Sequence, residues 1–236
     1  MAAIVTDQFR ILNSKNFLDS VRDPSNSYYI FLSLPNPSQV GFGRTSTWDS
    51  SIPTPQDNFN YLDHVKDTIL FGKRITSDNI RRLIRKVQWQ KNTIYEMYRH
   101  DYSVQNPSPK TNSYRLYDAN YYVINKDYRV YLCIDNGSKS TNRLGNPSQD
   151  EPLFVDLEPS RAGESGDGYT WKYLFTVSPS DIIKFDSIEY IPVPSDWETS
   201  NDPDVKSVRT SGDSLINDNQ IKKVYIENPG SGYNSS

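Results

Sequence analysis

The sequence predicts a mainly β protein, and three observations carry that expectation. Aromatic residues make up 13% of the 236 residues, with 17 Tyr, 9 Phe and 4 Trp, and these side chains suit a pleated, half-buried surface. Several runs of strand length are continuously apolar or alternate apolar with polar positions, whereas one segment alone shows a clear helical period. The runs are separated by long stretches rich in Pro, Asn, Ser and Gly, which punctuate strands.

Taken in order, Ala3-Ile4-Val5-Thr6 reads as a short opening strand, followed by Phe9, Leu12, Phe17, Leu18 and Val21 at loosely helical spacing. Asp23-Pro24-Ser25-Asn26 is a turn. Tyr28 to Leu34 is a nearly continuous apolar run closed by Pro35, and reads as a strand buried on both faces. Residues 36–60, with Pro37, Pro53 and Pro55, form a long irregular loop of the kind that serves contact or function. Ile80, Leu83, Ile84 and Val87 recur at i, i+3, i+4 and i+7 behind Ser77 as N-cap and Asp78 in the first turn, and predict a helix between Ile75 and Val87. Asn106 to Ser113 is a second loop. Tyr121–Ile124 and Tyr128–Asp135 make a hairpin around Asn125-Lys126-Asp127, with Tyr128, Val130, Leu132 and Ile134 on one face and Cys133 on the other. Residues 136–168 form another loop, with Leu153 to Leu157 as a short edge strand. Tyr169 to Val177 is the clearest strand, with Tyr169, Trp171, Tyr173, Phe175 and Val177 expected on one face. Beyond Glu189–Pro194 the chain is polar to Asp213. Val224-Tyr225-Ile226 is a last strand, and Asn228-Pro229-Gly230 has the order of a type II turn.

Net charge is −3 and the isoelectric point about 5.5, so the chain as a whole has no attraction for nucleic acid or anionic lipid. No run approaches the ~18 apolar residues of a membrane span, and Met1–Arg10 lacks the character of a signal peptide, so a cytosolic protein without membrane insertion is expected. Cys133 is the sole cysteine, which excludes an internal disulfide and a cysteine metal cluster. His64 and His100 show no metal-ligand spacing, and no cofactor is expected. Gly41-Phe42-Gly43-Arg44 lacks the third glycine of a dinucleotide loop. The stretch from Gly163 to Gly168 is acidic where a phosphate cradle would be basic and lacks the alternating oxygens of a calcium loop. It reads as a tight glycine turn launching the next strand.

On the expected helix, Arg81, Arg82, Arg85 and Lys86 lie opposite the apolar stripe. Like charges at i,i+4 cost ~0.2–0.5 kcal/mol per pair. Two readings stand level: a solvated face, or a docking surface for an acidic partner. Nucleic acid comes third, because no aromatic side chains interleave the cations.

Several segments together resemble a known family. They are Ala3–Thr6 with Phe9-Arg10, the Tyr28–Leu34 strand, Trp89 with Thr93-Ile94-Tyr95, Tyr98–Tyr102, Tyr121–Asn125, Val130–Cys133, Gly166-Asp167-Gly168-Tyr169-Thr170-Trp171-Lys172-Tyr173-Leu174-Phe175, and Glu189–Pro194. Their order and spacing, from residue 3 to about 194, are similar to those of the baseplate wedge subunits of T-even-like contractile-tailed bacteriophages, the family of the product of gene eight. Core and motif positions singled out are Trp89, Tyr95, Tyr169, Trp171, Tyr173 and Phe175. The resemblance implies an antiparallel β-sandwich with helix-bearing loop insertions. The sandwich would span 1–194 with a loop and helix insertion at about 62–105, and 195–236 would be a polar linker with a C-terminal strand and turn. It further implies a homodimer among other baseplate wedge proteins, located in the virion tail baseplate after assembly in the host cytoplasm. Its role would be to link peripheral and inner wedge proteins and to move when the plate rearranges. No catalytic residues come with the family, and an enzyme is not expected. The alternative is a carbohydrate- or receptor-binding β-sandwich of a phage tail, stacking sugars on loop aromatics such as Trp48 and Trp197. A hydrolase would need paired carboxylates, and nothing pairs any two of the 29 acids.

Overall fold

Aromatic and β-branched runs become antiparallel strands in the computed structural model, which describes residues 7–33, 59–98, 117–139, 141–197, 199–201, 203 and 205–206. Ala3–Thr6, Gly41–Arg44, Trp48, His100, the 106–113 loop and everything from Val224 onward lie outside the described residues. The chain divides into two units, Met1–Ile80 and Arg81–Ser236. Among the described residues there are three sheets, each antiparallel. Among the described residues, no helix is long and apolar enough to cross a membrane.

In the first unit, helix α1 (Asp7–Arg22) buries Leu18 and Val21 and leaves Phe9, Leu12 and Phe17 exposed. The chain then turns at Asp23, whose Oδ1 accepts from Ser25 N at 2.9 Å and Ser25 Oγ at 2.7 Å. These bonds hold its carboxyl below the usual carboxylate range. Strand β1 (Tyr28–Ser33) follows, with Tyr28 edge-on to Phe17 at 5.7 Å and hydroxyl to hydroxyl with Ser20 at 2.6 Å. After helix α2 (Phe59–Asp67), strand β2 (Ile69–Ile75) pairs with β1 in a two-stranded ribbon. Phe31 lies over Gly72, where an added Cβ would stand 2.8 Å from the ring. The expectation that Tyr28–Leu34 is buried on both faces is corrected: Tyr29, Ile30, Phe31 and Leu32 are exposed. An uninterrupted apolar run specifies a strand, but only neighbouring layers make it buried.

The expected helix from Ile75 to Val87 is also corrected. Beyond β2 there is a single 3₁₀ turn, Ser77–Asn79, whose Asn79 Oδ1 accepts from Thr76 N at 3.2 Å. Ile80 is already extended at φ −132° and ψ 138°, and Leu83–Arg85 form strand β3. The expected cap shifts by one residue, Thr76 being the N-cap and Ser77 the first residue of the turn, and this polar start drives one turn only. Ile80, Ile84 and Val87 are β-branched, and a tertiary partner, strand β7 (Tyr190–Pro192), supplies the ladder that overrides a short helical period.

The second unit centres on a three-stranded sheet of β4 (Tyr122–Ile124), β5 (Arg129–Asn136) and β6 (Tyr169–Thr176), in the order β4-β5-β6. The expected hairpin forms, with Asn125 Oδ1 accepting from Asp127 N and Arg129 N, both at 2.9 Å. Alternation sends Val123, Tyr131, Cys133, Tyr169 and Trp171 to one buried cluster. Tyr122, Ile124 and Val130 go to another, joined by Val177 and Ile191. Strand β6 serves both. Val130 pairs with Phe175 and Tyr131 with Tyr173, so Leu174 is an extra residue in β6 and the phase changes there. Tyr169, Trp171 and Tyr173 therefore pack on the first cluster while Phe175 and Val177 belong to the second. The expectation of five residues on one face fails at this bulge.

Residues 153–157 form no strand, correcting the expected edge strand. Pro152 and Pro159 lack N–H donors, and nearby carbonyls bond side chains instead: Arg129 Nη1 donates to Leu153 O and Tyr131 Oη to Phe154 O at 2.6 Å. Helix α3 (Pro179–Phe185) starts with Ser178 accepting from Asp181 N at 3.2 Å.

Three predictions follow from this packing. Trp171 is fully buried, stacked on Tyr169 at 5.2 Å and edge-on to Tyr95 at 5.7 Å, and its Nε1 has no hydrogen-bond partner among the described residues. Trp171→Ala should cost ~3–5 kcal/mol in chemical denaturation, whereas Trp171→Phe should cost clearly less because no indole hydrogen bond is lost. Equal losses would show that ring volume is not what the site reads. Gly168 has φ +90°, and a Cβ there would lie 2.7 Å from Gly137 Cα, whereas Gly166 at φ +68° meets nothing within 4 Å. Gly166→Ala should cost only ~1–2 kcal/mol for its left-handed backbone, and Gly168→Ala more, because backbone must also move. Burial pushes Tyr131 up to about 12 and raises Tyr95, Tyr122 and Tyr169 as well. Their contribution is fully present below the unfolded tyrosine value of ~10 and is lost as pH rises through the folded values. The melting temperature should be insensitive to these groups at neutral pH and should fall above about pH 10, a trend that calorimetry would test.

Candidate functional site

Arg81, Arg82, Arg85 and Lys86 are half-buried on and beside strand β3. Arg81 Nε donates to Asp181 Oδ1 at 3.0 Å, both side chains being only 10% exposed, and its guanidinium covers the Phe185 ring at 5.2 Å. Lys86 Nζ donates to both carboxylate oxygens of Asp186 at 2.9 Å and to Ser187 O at 3.2 Å. Arg85 Nη2 donates to Ala119 O at 3.1 Å and Asn120 Oδ1 at 3.0 Å. Arg82 is tied in through its backbone, its carbonyl accepting from Val193 N at 2.9 Å. The premise of an uncompensated basic helix face therefore does not hold. The acids that compensate it lie 100 residues away, on α3 and its C-terminal cap, and no local pattern could reveal them.

Arg85 and the Lys86–Asp186 pair border a cleft of about 690 Å³ whose walls also include Gln88, Gln90 and Asn120. Its polar lining consists of side-chain amides, hydroxyls, the Arg85 guanidinium and the Lys86–Asp186 ion pair. Asp186 is committed to Lys86, so the cleft offers hydrogen bonds without a free pair of carboxylates for acid–base work. Among the described residues, no three His, Cys, Asp or Glu side chains gather as a metal site would require. His64 lies on α2 in the other unit. Cys133 is a buried thiol within β5. Trp197, a candidate platform for sugar, instead packs edge-on to Phe175 at 5.4 Å.

The most distinctive segment, Gly166 to Phe175, sits at a junction of loops. Asp167 Oδ1 accepts from Tyr169 N at 2.9 Å and its Oδ2 from Gln149 N at 2.8 Å, and Asn146 Nδ2 donates to Asp167 O at 2.7 Å. Asn136 Nδ2 donates to Tyr95 O at 3.0 Å, and Tyr95 N donates to Tyr169 Oη at 2.8 Å. Tyr169 Oη in turn donates to Asn146 O at 2.7 Å. Trp89 joins through Nε1, which donates to Ser148 Oγ at 3.0 Å. Tyr95, Tyr169, Trp171 and Phe175 are buried, and Trp89 and Tyr173 pack partly buried against the first cluster. Sequence alone identified these aromatics but missed Asn136 and Asn146, which satisfy buried backbone in irregular loops, and Ser148, which accepts from the Trp89 indole. Asp167 of the glycine turn is thus a hydrogen-bond acceptor for backbone, and Asp150 Oδ2 accepts likewise from Ser165 N at 2.9 Å.

No family model matches the chain. It is 25% identical over 228 residues to the baseplate wedge protein gp8 of Enterobacteria phage T4, a match covering 85% of this chain and 63% of that protein. The chain thus spans less than two thirds of the length of that relative, and an identity of 25% marks a distant relationship.

Proposed function

We propose that this chain is a structural, non-catalytic subunit of a phage baseplate wedge. It would form a homodimer that links peripheral to inner wedge proteins in a contractile tail and takes part in assembly and rearrangement of the plate. The observation that carries this reading is the similarity to a baseplate wedge protein along 85% of the chain. Physical support comes from where the resembling segments fall. Trp89, Tyr95 and the stretch from Gly166 to Tyr173 occupy the loop junction and the first cluster, and Phe175 the second, so these segments serve architecture rather than a reaction centre. A subunit of this kind acts through surface shape and through interfaces that favour Tyr, Trp and Phe, which suits a chain with 13% aromatic residues.

Mass spectrometry and cryo-EM of purified tails from the virus encoding this chain should find it in the baseplate. Its absence from intact tails would overturn the proposal. In solution, light scattering at micromolar concentration should give about twice the 27.2 kDa chain mass. A monomer persisting to ~100 µM, a concentration that tests even weak association, would count against the dimer.

A further inference from the structure

The first unit leaves a large apolar surface uncovered. Along the β1–β2 ribbon, Ile30, Leu32 and Phe71 are 51%, 60% and 53% exposed. Leu32 pairs with Phe71 and Ile30 with Lys73, so these side chains share one face. The other face carries Tyr29 and Phe31, stacked at 6.3 Å and 57% and 53% exposed. A two-stranded ribbon is marginal by itself in water and gains stability from further strands. Among the described residues, β1 pairs with β2 alone.

Charge separates the two edges. Strand β1, Tyr28-Tyr29-Ile30-Phe31-Leu32-Ser33, carries no ionisable acid or base of the Asp, Glu, Lys, Arg or His type, whereas β2 carries Lys73 and Arg74. Lysine and arginine on an edge strand discourage pairing with another chain. In a symmetric pairing of β2 with itself, two copies of both cations would share one short ladder, and like charges across a ladder are destabilising. The β1 edge has no such guard and is self-complementary.

We propose that the open edge of β1 is the surface through which the homodimer of the preceding section forms, an inference that rests on that reading. Two β1 strands pair antiparallel about a twofold axis, making a four-stranded sheet in the order β2-β1-β1-β2 with Lys73 and Arg74 on the outer strands. Twofold symmetry places one residue opposite its own copy, and for a six-residue strand the central choices are Ile30 and Phe31. With the axis at Ile30, Leu32 of the second copy falls opposite Tyr28, beside the half-exposed Phe17 of α1. With the axis at Phe31, Ile30 falls opposite Leu32 of the second copy. Either register joins the two apolar stripes into one.

Single-cysteine variants test this, since the native Cys133 is buried. Ile30→Cys, Phe31→Cys and, on the exposed part of β2, Leu70→Cys are each oxidised mildly and resolved on non-reducing gels beside light scattering of the unmodified protein. Directly opposite residues in an antiparallel pair have Cα atoms ~4.5–5.5 Å apart, within the ~4.4–6.8 Å range of disulfides. One of the two β1 variants should therefore cross-link to a covalent dimer in most molecules, and Leu70→Cys should not. Ile30→Lys, placing like charges beside the axis, should weaken dimerisation at least tenfold while near-UV circular dichroism reports an intact aromatic core. A dimeric parent without cross-linking at 30 or 31, or with cross-linking strongest at 70, overturns this surface and leaves the dimer itself standing. A monomeric parent overturns both.

Discussion

One inserted residue, Leu174, decides how the second unit is organised. Without it, β6 would present Tyr169, Trp171, Tyr173, Phe175 and Val177 to a single face, and the opposite face of the sheet would lose Phe175 and Val177. With it, the strand's first half stacks aromatic rings on one cluster and its second half closes the other. A bulge also strengthens local twist, which lets a sheet of only three strands be covered on both sides. The covering layers are mostly irregular chain, held by Tyr131, Asn136 and Asn146 reaching to loop carbonyls.

The same logic explains the cations. Arg81 and Lys86 flank the short strand β3, whose three ladder pairs with β7 would be weak alone. Their bonds to Asp181 and Asp186 tie both ends of that strand to helix α3 and its cap. At about a tenth exposed, such pairs carry a desolvation cost that offsets much of their attraction, so their main effect is to penalise other arrangements. A half-buried cation without its acid would be expensive. The charges thus specify which strand meets which helix.

What was legible in the sequence follows from the range of the interactions involved. The Tyr121–Asp135 hairpin, the Asp23 turn, the strand at Tyr169 and the glycine turn before it depend on neighbours within a few residues, and their patterns identified them. The loosely helical residues from Phe9 to Val21 did form a helix, with two of five buried. The segment from Ile80 to Val87 was misread because a four-point helical period over eight residues fits a strand of β-branched residues equally well, and the arbiter was β7, about a hundred residues on. Burial of β1 was misread for a related reason, since composition reports what a side chain would prefer and not whether a layer is supplied. Of the candidate site, the aromatics were legible and the asparagines and partner acids were not, because a polar residue's role depends on which backbone group it meets.

The two units differ in how far each satisfies itself. In the second, the aromatics that carry the sheet are buried, Arg81, Arg85 and Lys86 have acceptors within the unit, and the phenols of Tyr95, Tyr122 and Tyr131 find carbonyl partners. In the first, residues of equal hydrophobicity on α1, β1 and β2 remain about half exposed. Surface of that kind is costly to leave in water at ~25 cal/mol per Å², and contiguous patches of it on soluble proteins usually mark contact sites. Among the described residues, the second unit buries its two aromatic and aliphatic clusters, whereas the ribbon of the first keeps much of its apolar surface in contact with water. In the proposed assembly role, the clusters of the second unit would hold their geometry while contact is made through the exposed ribbon of the first, where apolar area is still available for burial.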